Sequence, residues 1–217
     1  FGRESKILLF ALLQTLGFFT ATAVNYYRGI YLKLPYPYNS FLFGAIDRFS
    51  DFYQVVRETI GMDPYGTWKS GQYPFLLFFS SFFSRISENY SYLFFILGFL
   101  IIFYGFNYYF LRLKPILLSF LSAFIISTFS YPLLMSLDRG NFEMLVYVFL
   151  LLFIFMFYKK RFIYAAIFLG FATALKIYPA IFLFLFVKEK KYKEILIFFG
   201  LFFALSIISL MSFNDGL

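Results

Sequence analysis

Apolar residues in this chain run in long, nearly unbroken blocks, at about 7–25, 90–111, 115–135, 142–158, 162–175, 177–187 and 194–213, with a weaker block at 75–86. A helix needs roughly 20 apolar residues to cross a hydrocarbon core, and several blocks reach that length. A membrane barrel would instead show stretches of about ten residues with alternating polarity, and none is visible. The pattern predicts an all-α polytopic membrane protein with about seven transmembrane helices. The first block lacks a small-residue cleavage site and runs into Tyr26-Tyr27, so it reads as a retained span and not as a removable signal.

Charge falls between the blocks. Arg3 and Lys6 precede the first; Arg112 and Lys114 separate the second and third; Lys159, Lys160 and Arg161 follow the fourth; Lys188, Lys190, Lys191 and Lys193 precede the last. Short loops rich in Lys and Arg stay cytoplasmic, so this arrangement predicts a multi-pass plasma (inner) membrane protein with a cytoplasmic N-terminus. The net charge of +8 is then a topology signal and not a nucleic-acid footprint. Membrane lipids are the expected surroundings.

Basic clusters flank residues 162–187 on both sides, and a single straight span would carry one of them to the wrong face. The segment therefore predicts a short helical hairpin that bends at Lys176-Ile177-Tyr178-Pro179. At ~1.5 Å per residue its limbs are about 21 and 12 Å long, too short to cross fully. Limbs of that kind persist only where the bend is buried in protein or lines a cavity. The outer loops are then residues 26–89, the turn at 136–141 and the hairpin tip. That topology brings Asp51, Asp138, Arg139 and Lys176 to one face. The 75–86 block follows Pro74 and reads as a juxtamembrane helix within the first outer loop.

With no Cys and no His, the chain has no thiol nucleophile, disulfide or imidazole metal ligand, which leaves acid–base work to Asp, Glu, Lys, Arg or Tyr. Asp51 opens the amphipathic stretch Ser50 to Glu58. With Gln54 three residues on, it fits a helix cap with a capping box. Lys176 fits a snorkelling residue, although ionisable groups in membrane segments usually mark function. Asp138 and Arg139 fit an interfacial ion pair, with Asp138 also suited to cap the next helix and Gly140-Asn141 to make a turn. Asp47 and Arg48 fit a solvated loop pair. Tyr53, Asp63, Tyr65, Trp68 and Tyr73 offer aromatic and polar surface suited either to a sugar or to the membrane interface. No ligand spacing calls for a divalent metal, although carboxylates beside a phosphate could recruit one.

The segments Tyr36-Pro37-Tyr38-Asn39-Ser40-Phe41-Leu42-Phe43, Asp47-Arg48-Phe49-Ser50-Asp51-Phe52, Asp63-Pro64-Tyr65 and Tyr73-Pro74-Phe75 resemble the first outer loop of the GT-C superfamily of lipid-phosphate-sugar-dependent glycosyltransferases. Asp138-Arg139-Gly140-Asn141-Phe142-Glu143 and Gly170-Phe171-Ala172-Thr173-Ala174-Leu175-Lys176-Ile177-Tyr178-Pro179, each followed by a basic loop, resemble glycosyltransferase family 87, which includes polyprenyl-phosphate-mannose-dependent mannosyltransferases.

The resemblance implies a single GT-C-like module over residues 1–217, with juxtamembrane helices in its first outer loop. It also implies inverting transfer of a hexose, mannose by analogy, from a polyprenyl-phosphate donor to a lipid or glycan acceptor. In that chemistry Asp51 is the general base. Lys176, Arg139 and Arg48 would bind the donor phosphate, and Tyr53, Asp63, Tyr65, Tyr73, Asp138, Asn141 and Glu143 would line the substrate pocket. The donor lipid is a substrate, and no cofactor is implied. The variable C-terminal half of such enzymes would follow Leu217, so the chain reads as part of a longer protein. Two other classes compete: a lipid-linked sugar flippase, in which Lys176 and Arg139 hold an anion in transit, and a non-catalytic membrane subunit.

Overall fold

The computed structural model describes residues 3–35, 49–66, 69–111 and 116–214. Every regular element among them is helical. In chain order the α-helices are α1 (Arg3–Tyr26), α2 (Ser50–Glu58), α3 (Pro74–Ser84), α4 (Glu88–Leu111), α5 (Ile116–Thr128), α6 (Tyr131–Arg139), α7 (Glu143–Tyr158), α8 (Phe162–Leu175), α9 (Leu183–Lys188) and α10 (Tyr192–Met211). The long apolar blocks become helices because a chain in hydrocarbon must satisfy its backbone N–H and C=O groups within the segment itself.

Among the described residues, three helices are long and apolar enough to cross a membrane: Glu4–Tyr31, Tyr90–Leu111 and Tyr192–Met211. A fourth span results if Ile116–Thr128 and Leu133–Arg139, bent by 58° at their break, are taken together. The expected count of about seven would also need α7, α8 and the segment Tyr178–Lys188 to span. With 16 and 14 residues, α7 and α8 are about 24 and 21 Å long, short of a ~30 Å core.

The chain forms two compact units, one of Phe1–Ser50 with Leu93–Asn141 and one of Asp51–Tyr92 with Phe142–Leu217. In the first unit α1 packs on α5 and α6. Phe18 and Phe19 both meet Phe129, at 5.5 and 5.6 Å between ring centroids. Polar groups also join the helices. Asn107 Nδ2 donates to Ser127 Oγ at 3.0 Å, Tyr104 OH pairs with Thr128 Oγ1 at 2.9 Å, and Gln14 Nε2 donates to the Ile126 carbonyl. Such bonds matter in lipid, where apolar side chains gain little by leaving the acyl tails for one another.

The second unit is built around α8, which packs against α7, α10 and α3. Its core gathers Phe153, Ala165, Ala166, Leu169, Phe186 and Phe198, all at most 1% exposed. Small residues let the helices approach closely. A Cβ built on Gly170 would sit 3.0 Å from Leu201 Cδ2 of α10.

Phe153 meets Phe182 at 5.6 Å and Phe157 meets Phe186 at 5.5 Å, so the segment Tyr178–Lys188 runs parallel to α7 and antiparallel to α8. The reversals at Lys159-Lys160-Arg161 and Glu189-Lys190-Lys191 consequently lie at one end of this unit. Glu143, Lys176, Tyr178 and Asn214 lie at the other.

Three helices end in the same turn. After α6, the N–H of Gly140 donates to Leu137 O at 3.1 Å and that of Asn141 to Ser136 O at 2.9 Å, with Gly140 at φ 68°. After α7, Lys160 and Arg161 donate to Phe157 O and Met156 O at 2.9 Å each. After α9, Lys190 and Lys191 donate to Val187 O and Phe186 O at 3.0 and 2.8 Å. These are Schellman endings, whose left-handed position suits glycine. Lys160 and Lys190 occupy it at φ 57° and 56°, a conformation that costs an L-residue with a Cβ about 1 kcal/mol.

Candidate functional site

Asp51 lies in the first turn of α2, half-buried, where the partial positive charge of a helix N-terminus favours a carboxylate. The helix already begins at Ser50, so Asp51 is inside it, and Gln54 points forward to donate from Nε2 to Glu58 Oε1 at 3.2 Å.

The amphipathic pattern does hold, with Phe52, Val55 and Val56 buried at one helical face. Phe52 is fully buried. Its ring meets Phe83 and Tyr92 edge-on, each at 5.5 Å, and stacks on Phe142 at 5.6 Å with 13° between planes. Phe142 immediately precedes α7. The stack therefore docks the start of α2 on the start of α7, where Glu143 lies.

The stretch after α2 is pinned from both sides. Ser70 Oγ donates to Glu58 Oε2 at 2.6 Å and accepts from the N–H of Gln72 at 3.1 Å. Asn214, just past α10, donates its N–H to Met62 O at 2.9 Å. Tyr65 meets Phe213 edge-on at 6.3 Å, and its hydroxyl reaches Gln72 O at 3.5 Å. The Asp63 carboxylate folds over Gly66, where an added Cβ would come within 2.6 Å of Oδ1, so Asp63 closes its own turn. Tyr73 caps α3 in an extended conformation ahead of Pro74, and its carbonyl accepts from Leu77. Tyr53 packs on Tyr92 at 6.3 Å and lies under the Arg57 guanidinium.

Lys176 follows α8 in an extended conformation at φ −151° and ψ 137°, its N–H held by Ala172 O. It is half-buried. Among the described residues, no ion pair or hydrogen bond occupies its ammonium group. Beside it, Tyr178 opens a 3-10 turn too short to span a membrane. Burial, and after it the Glu143 carboxylate, push the Tyr178 phenol above its ordinary value near 10. Glu143, Lys176 and Tyr178 thus share one end of the second unit with α2.

The remaining expected residues belong to the first unit or fall outside the described residues. Asp138 and Arg139 occupy the last turn of α6 in the first unit rather than a loop, and Asn141 follows in the Schellman turn. The residue at the N-cap of α7 is Phe142, which has no capping side chain. The backbone carbonyl of Asp138 accepts from the N–H of Phe49 at 2.7 Å. Arg48, Asp47 and Trp68 lie outside the described residues, as does the 36–43 motif. Among the described residues, no group of three or more Asp or Glu could hold a metal ion. A cavity of about 510 Å³ in the first unit, lined by Lys6, Ile7, Phe10, Asn107, Leu111 and Ile126, contains none of the expected site residues.

Sequence reasoning missed Phe52 and Phe142 as positioning groups. A signal was present in the i, i+3, i+4 spacing of Phe52, Val55 and Val56. Nothing local marked Phe142 as their partner.

The helices and this end of the second unit define an all-α membrane protein that carries acidic, basic and aromatic groups together at one end of a helical core. The model of glycosyltransferase family 87 matches residues 73–216, and the chain belongs to that family of glycosyltransferases. The matched stretch includes Tyr73, Asp138, Arg139, Asn141, Glu143 and Lys176, and it begins after Asp51, Tyr53, Asp63 and Tyr65. No curated protein and no solved structure matches the chain.

Proposed function

We propose that this membrane glycosyltransferase moves a hexose, mannose by family resemblance, from a polyprenyl-phosphate donor to a lipid or glycan acceptor at the outer face of the plasma membrane. The acceptor hydroxyl attacks the anomeric carbon from the side opposite the phosphate. Its proton passes to the Asp51 carboxylate as the carbon–oxygen bond to phosphate breaks, and polyprenyl phosphate leaves with the bonding electrons. One carboxylate suffices, because the phosphate leaving group needs its charge stabilised more than it needs a proton. Lys176 supplies a cation for that charge. By the family resemblance alone Arg139 of the first unit is a further phosphate ligand, with a guanidinium fork suited to two phosphate oxygens. Arg48 is a third.

The observation that carries this reading is the Phe52–Phe142 stack, which holds α2, with Asp51 in its first turn, against the start of α7, at the same end of the unit as Lys176 and away from the basic turns. The test is transfer from a radiolabelled polyprenyl-phosphate sugar by the full-length protein in proteoliposomes, compared with Asp51→Asn. Loss of glycosidic product with donor binding retained supports the base. Labelled donor that crosses the bilayer without forming product would instead indicate a flippase.

A further inference from the structure

The end of the second unit opposite Glu143 and Lys176 carries two Schellman turns side by side. Lys159, Lys160 and Arg161 make the first, and Lys188, Lys190 and Lys191 surround the second. All but Lys191 are exposed. Lys191 reaches back to the first turn, with its Nζ 4.6 Å from the centroid of the Phe162 ring. Glu189 and Glu194 are the acids nearest in sequence, and the cations outnumber them.

Placement alone would make this patch a topology signal. The backbone adds a second observation. The same turn after α6 uses Gly140 at its left-handed position, whereas both basic turns put a lysine there against the conformational preference of a residue with a Cβ. Strain of this kind persists where the side chain is wanted for something other than the fold. The two αL lysines are exposed just past the helix ends, at the level where the polar headgroups begin if the apolar helices lie in the bilayer.

We propose that the paired basic turns form a binding surface for the phosphodiester headgroups of anionic phospholipids, with Lys160 and Lys190 as its central cations. The surface complements that headgroup in charge, and clustered lysines and arginines beside membrane helices attract anionic lipid. Lipid held there clamps α7, α8, α9 and α10 at one end. The proposal does not depend on Asp51 or on the sugar donor.

The experiment uses the full-length protein in detergent, equilibrated with mixed micelles of equal phosphatidylcholine and phosphatidylglycerol, with retained lipid counted by native mass spectrometry. Wild type is expected to retain phosphatidylglycerol several-fold over phosphatidylcholine. The variant Lys160→Gly with Lys190→Gly removes two charges and relieves both left-handed positions. It is expected to keep or raise the thermal unfolding temperature while its selectivity falls at least threefold. Should that variant unfold early, Lys159→Gln with Lys188→Gln, which leaves the left-handed positions untouched, is expected to lose selectivity in the same direction. Equal retention of the two lipids by wild type, or undiminished selectivity in the folded variants, overturns the proposal and leaves the turns as topology signals. Release of the lipid by millimolar inorganic phosphate assigns the surface to free phosphate and likewise overturns it.

Discussion

Phe52 stacks on Phe142 with ring centroids 5.6 Å apart and planes 13° apart, one residue after Asp51 and one residue before Glu143. The contact joins a short polar helix to the start of an apolar one, so the position of the Asp51 backbone depends on an apolar contact made by its neighbour.

Replacing Phe52 with alanine removes a fully buried ring from the cluster with Phe83, Tyr92 and Phe142. A loss of about 3 kcal/mol is expected, as for large-to-small changes in packed cores. Thermal unfolding in detergent measures it. Transfer activity should fall further than stability explains, and Phe52→Leu should restore part of both. A Phe52→Ala protein with native stability would contradict the docking role of the stack.

Asp51→Asn keeps the shape and removes the basic carboxylate. General-base loss costs about 100-fold or more in kcat, with little change in KM for the donor if binding and chemistry are separate. Initial-rate measurements at saturating donor decide the matter. Full activity would remove Asp51 from the mechanism.

Lys176→Gln removes a half-buried ammonium at the hairpin tip. If that cation meets the donor phosphate, KM for the donor should rise about tenfold, roughly 1.4 kcal/mol, with Lys176→Arg closer to wild type. Arg139→Gln, in the first unit, is expected to show the same split by itself. Unchanged donor KM in both variants would leave the phosphate without these ligands.

Gly170 faces Leu201 at a distance that leaves no comfortable room for a methyl group. Gly170→Ala should cost about 1 kcal/mol and Gly170→Val more, through overpacking between α8 and α10. Combining Gly170→Ala with Leu201→Ala should cost less than the sum of the single changes. An additive double-mutant cycle would show that the two sites do not touch.

The helices themselves were legible in the sequence. The apolar block at 142–158 became α7 at 143–158, and that at 162–175 became α8 with the same bounds. Hydrocarbon allows an isolated apolar segment one economical way to satisfy its backbone, so length and composition settle the element without reference to neighbours. The polar turns were equally local: basic residues mark the helix reversals at 159–161 and 189–191. The bent pair α5 and α6 was less visible, because a 58° break at Phe129-Ser130 leaves the apolar run continuous.

By itself, the sequence determined that the chain is helical, membrane-embedded and free of thiol or imidazole chemistry. It also supplied the motif order that resembles glycosyltransferase family 87. Tertiary structure decided which residues share an end. Glu143, Lys176 and Asn214 are far apart along the chain, and they meet at one end of the second unit only because α7, α8 and α10 pack as they do. It also decided that Asp51 sits inside the first turn of α2, that Asp63 closes its own turn, and that Asp138 and Arg139 end a helix. Local pattern fixes a residue's element through backbone hydrogen bonding and solvent. Its neighbours depend on side-chain packing between segments distant in sequence, as Phe52 depends on Phe142.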